Sequence, residues 1–387
     1  MKKILLLMPL LCLLTGCYNY REINDLAIIS GVSVFKEGNE FKITVEVVNP
    51  KKEQDTSSGK EPDFIIYTAT GSSMQEAFRT VVKESPKKLY GAQIDLLIID
   101  EETAKEELSH ILDFFTRDPE IRSEFYVLIG KNEDILEITT PLENLSSKNI
   151  VSSLEANNTY LGVANLVTFH DLINTYLNPN IDIALPSIET IGNEQKGETT
   201  KNIETTTSDA ISLLSNIAVF KDEKLVGYLT ERESIGYNLI MGNAKTTIVK
   251  TDYNNDQFIV NEILNSNTKM EVDVKTKEIK ISIKGTAAIS EANYEGNLEK
   301  AETIKKVQKD FNLEIENIIQ DCIKNTIQKY NSDIFGFRDL FYKKDPKEYK
   351  KLKENWFKET FPNLEIKVKS DIEIIEKGNL NGGVWHE

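Results

Sequence analysis

The residues with the clearest chemical signature lie near the start of the chain, at Leu14-Thr15-Gly16-Cys17. Two lysines precede them, followed by an apolar run over residues 4–14. A positive segment, an apolar core and small residues before a cut are the features of a secretory signal. The run is shorter than the roughly 20 apolar residues that a permanent transmembrane helix needs. Because a cysteine directly follows the small residues, the pattern is that of a bacterial lipobox, cut between Gly16 and Cys17.

Cleavage at this point would leave Cys17 as the first residue of the mature chain. A diacylglyceryl group on the Cys17 thiol would anchor it, since each buried methylene contributes about 0.8 kcal/mol and two acyl chains together hold stably. The alternative is an ordinary signal peptide with a cysteine at the cut by chance, but all four positions fit the lipobox. We therefore predict a removed signal peptide at 1–16 and a body held on the outer face of a membrane by covalent lipid, with no other cofactor.

The composition is that of an acidic globular protein. Hydrophobic residues make up 40% of the 387 and charged residues 28%, which suggests two or three domains at about 100–200 residues each. Loss of Lys2 and Lys3 leaves 44 basic and 62 acidic residues, a net charge of −18. Such a surface repels nucleic acid and anionic lipid head groups, so the lipid must provide the membrane attachment. Cys322 is the one other cysteine of the mature chain, so no disulfide framework is expected.

Strands and helices alternate over the first part of the chain. Apolar and polar residues alternate over 41–48, and further apolar runs predict strands at 64–67, 94–99 and 125–129. Apolar residues at helical spacing predict four helices: one that begins at Ser73, one over about 103–115, one over 145–155 and one that begins at Thr168. At the last of these, Asp171 takes the place of the usual Glu or Gln of a capping box. This alternation predicts an α/β region over 17–191, with a break into two domains near 141 as an alternative.

The remainder of the chain has a different pattern. Residues 192–209 contain Ile203 as their single large apolar residue, so we predict an exposed polar linker or long loop. Beyond it we predict a hairpin at 217–230, a succession of strands, a long amphipathic helix over about 298–330 and a final strand from 364. The fold class is therefore α+β, and the C-terminal domain at 210–387 is a largely antiparallel sheet packed with a long helix.

Four stretches resemble the Ger(x)C lipoproteins, which are the C subunits of spore nutrient germinant receptors. They are REINDLAII at 21–29, RDPEIR at 117–122, AVFKDEKLVGYLT at 218–230 and DIFGF at 333–337. The third is too long and specific to be expected by chance. The chain departs from the family at Tyr18, where tryptophan is usual, and at Phe35, where aspartate is frequent.

The resemblance extends from the lipobox to Gly378 and implies a body of three mixed α/β domains. It also implies a receptor complex with an integral-membrane A subunit and a transporter-like B subunit in the spore inner membrane. We therefore expect a non-catalytic accessory subunit on the outer face of that membrane. Its candidate contact residues are Arg117, Asp118 and Arg122, although an arginine and an aspartate that close a helix end and pair with each other give the same pattern.

Two other functional classes are weighed against this expectation. The chain has no Gly-x-Ser-x-Gly elbow and no glycine-rich phosphate loop, and His110 and His170 fall on different predicted helices. Neither nucleophilic catalysis nor a metal site is therefore predicted. The main alternative is an extracytoplasmic solute-binding lipoprotein of a transporter. Such proteins usually consist of two βαβ domains with parallel sheets, whereas the C-terminal half here is predicted to be antiparallel.

Overall fold

The computed structural model describes residue 22 and residues 25–49, 62–132, 135–140, 145–244, 246–254 and 256–376. The predicted lipobox at 14–17 and Gly378 lie outside these ranges. The strands of the described part are β1 Leu26–Glu37, β2 Glu40–Val48, β3 Phe64–Gly71, β4 Lys88–Tyr90, β5 Leu96–Asp100, β6 Tyr126–Gly130, β7 Ala184–Leu185, β8 Ser187–Gly192, β9 Ala210–Leu214, β10 Ala218–Lys221, β11 Lys224–Tyr228, β12 Thr247–Asp252, β13 Phe258–Asp273, β14 Glu278–Asn293 and β15 Glu365–Glu376.

The helices of the described part range from single turns to seven turns. They are α1 Met74–Thr80, α2 Glu101–Ala104, α3 Leu108–Arg117, α4 Ser146–Tyr160, α5 Phe169–Leu177, α6 Glu194–Gly197, α7 Lys201–Glu204, α8 Glu231–Met241, α9 Ala301–Asn325, α10 Phe337–Lys344 and α11 Pro346–Leu352. Two of them begin with the capping boxes that the sequence indicates, Thr168 with Asp171 and Thr230 with Glu233. Asp171 thus replaces the usual Glu without loss of either hydrogen bond.

The N-terminal sheet has the strand order β3-β2-β1-β5-β6-β8-β9, and β4 pairs with the start of β1. Strands β1, β5, β6 and β8 run parallel, and the outer pairs are antiparallel. Central strands that are covered on both faces need continuous apolar sequence, and β5 supplies it. Leu97 and Ile99 pack into a core with α1, α3 and α5, whereas Leu96 and Ile98 pack under α4. We call the first of these the N-terminal core.

A buried carboxylate fixes α4 to the second face of this sheet. Residue Leu145, at the start of α4, has no side chain that could cap a helix. Instead, Glu46 of β2 accepts hydrogen bonds from the Ser146 amide at 2.8 Å and the Ser147 hydroxyl at 2.5 Å, and from Ser30 at 2.6 Å. Burial raises the pKa of Glu46, and these hydrogen bonds oppose that effect. The first amides of α4 are therefore satisfied from a strand 100 residues away.

The C-terminal sheet has the order β12-β13-β14-β15. Its first three strands are antiparallel neighbours, and β15 runs parallel to β14. The predicted α+β class, with a largely antiparallel C-terminal sheet and a long helix, is confirmed. The apolar stripe of α9, including Cys322, is buried against this sheet in what we call the C-terminal core. The apolar patterns at 257–264 and 269–274 predict two separate strands. In the structure they form one strand, β13, because β14 pairs with it over its whole length.

A small sheet of order β11-β10-β7 lies between the two cores. Alternate residues of β10 point to opposite sides: Phe220 packs into the N-terminal core and Val219 into the C-terminal core. Leu185 and Ala184 of β7 divide in the same way. Strand β10 of the hairpin that carries the longest resemblance is therefore shared by the two cores, with both of its faces buried.

Residues 192–209 connect β8 to β9, which are antiparallel neighbours in the N-terminal sheet. The segment is largely exposed and contains the short helices α6 and α7. It is held by Asn202, whose side chain hydrogen-bonds the backbone of Thr139 and Ala210. Strand β9 begins at residue 210, where the C-terminal domain is predicted to begin, but it belongs to the N-terminal sheet. The segment is therefore a long loop between two strands of one sheet and does not connect two domains.

Candidate functional site: a groove between α1 and α3

A groove with a volume of about 800 Å³ lies beside α1 and α3. Helix α1 begins at Ser73, whose hydroxyl accepts a hydrogen bond from the Glu76 amide at 3.2 Å. Helix α3 turns Leu108, Ile111, Leu112 and Phe115 into the N-terminal core. The faces of α1 and α3 that do not pack into the N-terminal core line the groove, together with β4 and residues 118–121.

The inner part of the groove is aromatic. The rings of Phe78 and Phe114 stack with their centroids 4.9 Å apart, and Phe115 lies edge-on to Phe114 at 5.2 Å. Leu89 and Ile121 are among the other apolar residues that line it. Helical spacing places Phe78 on the core-facing side of α1, but the structure leaves it half-buried, because the groove rather than the core receives part of its ring.

The charged residues at the rim are paired with one another. Lys88 Nζ lies 2.6 and 2.7 Å from the two Glu120 carboxylate oxygens. Lys36 Nζ lies 3.3 Å from Glu107, whose other oxygen meets His110 Nδ1 at 2.5 Å. Burial by itself raises the pKa of Glu107. The hydrogen bonds from His110 and Lys36 outweigh burial, so the pKa of Glu107 lies below its ordinary value.

Because these charges neutralise each other, the groove favours an apolar side chain over a charged ligand. Arg79 differs from the other basic residues at the rim. It is exposed and has no ion-pair partner among the described residues. Val82 is 52% exposed at the same rim, although helical spacing places it inward. Sequence reasoning therefore missed both Arg79 and Val82 as surface features, since only the position of neighbouring elements leaves them uncovered.

The three predicted contact residues do not converge. Arg117 lies at the groove, and its Nε donates to both carboxylate oxygens of Asp113 at 2.8 Å. Asp118 ends α3 at the groove and accepts a hydrogen bond from the Glu120 amide at 2.9 Å. Arg122 lines a separate depression with His170. Arg117 and Asp118 thus close a helix end, but they pair with different partners rather than with each other.

A second polar cluster joins the N-terminal and C-terminal parts of the chain. The Asp182 carboxylate, which precedes β7, accepts hydrogen bonds from Lys221 Nζ at 3.1 Å and from the amides of Asp222 at 3.1 Å and Asp333 at 2.7 Å. This buried aspartate therefore ties the β10–β11 turn and the DIFGF turn to one point. Sequence reasoning gave no signal for it, because its partners are 39 to 151 residues away.

Asp333 itself is 1% exposed. Its carboxylate accepts hydrogen bonds from the amides of Phe337 at 2.9 Å and Arg338 at 2.7 Å, which begin α10. Burial raises the pKa of Asp333 to about 7, and the hydrogen bonds to Arg338 and Phe337 reduce the shift. The aspartate of the DIFGF motif thus acts as a helix-starting residue at the junction.

The described residues hold no group of three His, Cys, Asp or Glu side chains placed to bind a metal. Burial raises the pKa of the Cys322 thiol, so it stays protonated within the C-terminal core. Across the ranges that the structure describes, no helix combines the length and apolar character needed to cross a bilayer.

Comparisons with known proteins cover both halves of the chain. The family model described as "Spore germination protein N-terminal domain" matches residues 19–190, and that described as "Spore germination B3/GerAC like, C-terminal" matches residues 215–378. The chain is 28% identical to spore germination protein KC of Bacillus subtilis (strain 168), over 97% of this chain and 95% of that protein. It is 23% identical to spore germination protein GerQC of Bacillus cereus, over 98% and 99%.

A solved structure shares the fold. The crystal structure of the GerBC protein aligns with a TM-score of 0.55 at 17% identity, covering 89% of this chain and 97% of that one.

Proposed function

Since the chain belongs to the family of GerAC-like spore germination proteins and acts in spore germination, we propose that it is the lipid-anchored, non-catalytic C subunit of a nutrient germinant receptor. The subunit would sit on the outer face of the spore inner membrane and contact the A and B membrane subunits. The order of features along the chain carries the proposal. A lipobox at 14–17 stands directly ahead of the first family domain, which begins at residue 19, and the second family domain follows.

The groove between α1 and α3 is the surface that we propose for these contacts. Leu26, the first residue of β1, pairs with Lys88 at the groove rim. Leu26 follows Cys17 by nine residues, and nine residues reach at most about 30 Å. A lipid on Cys17 would therefore keep Leu26 within about 30 Å of the membrane surface. The Lys88 end of the groove lies beside Leu26, so it would be close to the membrane subunits.

The anchoring part of the proposal is tested with Cys17→Ala in the full-length chain. We expect this variant to leave the membrane fraction of spores, because without acyl groups only the apolar run at 4–14 could enter the bilayer, and it is too short for a permanent transmembrane helix. Cys12→Ala is the matched control, since it makes the same change in the segment that cleavage removes. Membrane-bound Cys17→Ala with full germination would refute the anchoring role.

The partner part is tested by purifying the tagged protein from detergent-solubilised spore membranes and identifying the co-purified chains by mass. Recovery of A and B receptor subunits supports the proposal. Recovery of transporter components alone would favour a solute-binding lipoprotein instead. Val82→Asp places a charge at the exposed groove rim and should reduce recovery of the partners at an unchanged melting temperature. Leu313→Asp, at a position of α9 that is 53% exposed, is the control.

A further inference from the structure

Strand β9 is the outermost strand of the N-terminal sheet, and β8 is its only partner strand among the described residues. The hydrogen bonds from Asn193 to Asp209 and from Ser215 to Ser187 frame this ladder. Antiparallel partners exchange hydrogen bonds at every second residue, so the odd-numbered residues of β9 bond to β8. The backbone groups of Ala210, Ser212 and Leu214 therefore face away from the sheet.

This outward edge is only partly covered. The Asn202 side chain accepts from the Ala210 amide at 3.1 Å and donates to the Ala210 carbonyl at 2.9 Å, so it occupies that position as a neighbouring strand would. The outward backbone groups of Ser212 and Leu214 have no backbone partner among the described residues. An open strand edge of this kind is a template for pairing with another extended chain.

An apolar stripe runs along the same edge. Ile211 and Leu213 lie two residues apart on one face of β9, and Ile191 stands opposite Ile211 on β8. These three side chains are 46%, 44% and 48% exposed. Branched aliphatic side chains on an edge strand are normally covered or replaced by charges, since they promote association. Here the backbone edge and the side-chain stripe are open together.

The charges around the edge indicate the character of a partner. The loop at 192–209 contains four acidic and two basic residues, and the whole chain has a net charge of −16. A second copy would bring the same negative charge to the same place. In a two-fold antiparallel pairing centred on Ser212, Ala210 of each copy would pair with Leu214 of the other copy. The outward backbone groups of Ala210 are already hydrogen-bonded to the Asn202 side chain. Both features disfavour self-pairing.

We propose that β9 is a strand-addition site for an extended segment of another protein, in which aliphatic and basic side chains alternate. The main-chain groups of Ser212 and Leu214 would pair with the added strand, and its aliphatic side chains would cover the apolar stripe. Strand β9 lies four strands from β1, or about 19 Å at 4.8 Å per strand. The site is therefore distinct from the groove and does not depend on the lipid anchor.

The test measures fluorescence anisotropy of a labelled Lys-Val-Lys-Val-Lys-Val-Lys peptide with the mature full-length chain. We expect saturable binding, and binding at least tenfold weaker for Leu213→Lys, which removes part of the stripe and adds a repelling charge. Ser212→Pro should have a similar effect, because it removes an outward amide without breaking the ladder to β8. Both variants should keep nearly the wild-type melting temperature, since both changes lie at the outer strand and Ser212→Pro loses only the long 3.5 Å hydrogen bond from the Ser212 hydroxyl to the Ile135 carbonyl.

Control peptides and one further measurement make the test decisive. A Lys₄Val₃ peptide with blocked rather than alternating sequence should bind at least tenfold more weakly, as should a Glu-Val alternating peptide. Equal binding of either control, equal binding by Leu213→Lys, or no binding to the wild type would overturn the proposal. Dimerisation of the wild type that Leu213→Lys abolishes would overturn it in favour of a second copy. The proposed receptor role is tested independently, by the co-purification from spore membranes.

Discussion

Asp333 shows how one motif residue serves the architecture of the junction. Its carboxylate is held by the amides of Phe337 and Arg338, and its own amide donates to Asp182. The charged groups that face it are Asp182, which raises its pKa, and Arg338, which lowers it. Lys221 neutralises Asp182 from the other side. The aspartate of the DIFGF motif thus has a structural role, which is to begin α10 and to bond to Asp182.

The pKa of Asp333 predicts a pH dependence of stability. The folded protein binds the proton more tightly than the unfolded chain, because the pKa rises from an ordinary value of 3.8 to about 7. The contribution of Asp333 to the free energy of unfolding is therefore fully present at low pH. It declines as the pH rises from about 4 to about 7 and is constant above that.

Asp333→Asn removes this titration. The stability of the wild type relative to Asp333→Asn should fall between pH 4 and 7 and level off above pH 7 in urea unfolding series. Asp371→Asn makes the same change at an exposed position of β15 and should follow the wild-type curve. A stability difference between wild type and Asp333→Asn that does not change with pH would contradict the role assigned to this carboxylate.

At the scale of elements, Gly236 is the position at which α8 packs directly against α9. A Cβ atom at this position would lie 2.9 Å from Cys322 Cβ and 3.0 Å from the Ile318 carbonyl oxygen. Both neighbours belong to the buried side of α9, so neither can move without shifting the long helix. The contact sets the distance between the helix that follows the hairpin and the helix that covers the C-terminal sheet.

Gly236→Val should therefore destabilise the protein by about 1–3 kcal/mol, the usual cost of overpacking a core. Valine is not a worse helix former than glycine, so the loss would come from the clash. Glu231→Val, at an exposed position of α8, is the control and should cost at most about 1 kcal/mol through the lost charge at the helix N-terminus. Equal urea midpoints for the two variants would show that α8 and α9 adjust freely.

For the whole molecule, the layer β11-β10-β7 decides whether the two halves behave as one unit. Phe220 and Val219 are adjacent in β10, fully buried, and belong to the N-terminal and C-terminal cores respectively. A single strand cannot lose its place in one core and keep it in the other. We therefore expect both cores to unfold together.

Phe220→Ala and Val219→Ala test this coupling. The first should cost about 3–5 kcal/mol and the second about 2 kcal/mol, through lost burial and cavity formation. Trp356 is buried in the C-terminal core, so its fluorescence reports that half, and Trp385→Phe in the background removes the other tryptophan. Trp356 fluorescence and far-ultraviolet circular dichroism should shift to the same midpoint in both variants. A Trp356 transition that stays at the wild-type midpoint in Phe220→Ala would show independent halves.

Features that depend on neighbouring residues in the chain were determined by the sequence alone. The alternation of Phe41, Ile43, Val45 and Val47 predicts a strand with these side chains inward, and all four are buried, although Thr44 and Glu46 on the other face are buried as well. The stripe of α9 and the capping boxes at Thr168 and Thr230 follow from helical spacing in the same way. The lipobox at 14–17 is also such a local pattern, and its role remains a prediction.

Only the tertiary structure decided which elements share a sheet and which side chains stay uncovered. Periodicity gives the buried face of a strand but not its neighbour, so the place of β9 beside β8 and the open edge at Ser212 could not be predicted. Glu46 caps a helix 100 residues away, and Asp182 binds an amide 151 residues away. Their spacing in the sequence contains no signal, because such contacts form only after the chain has brought distant elements together.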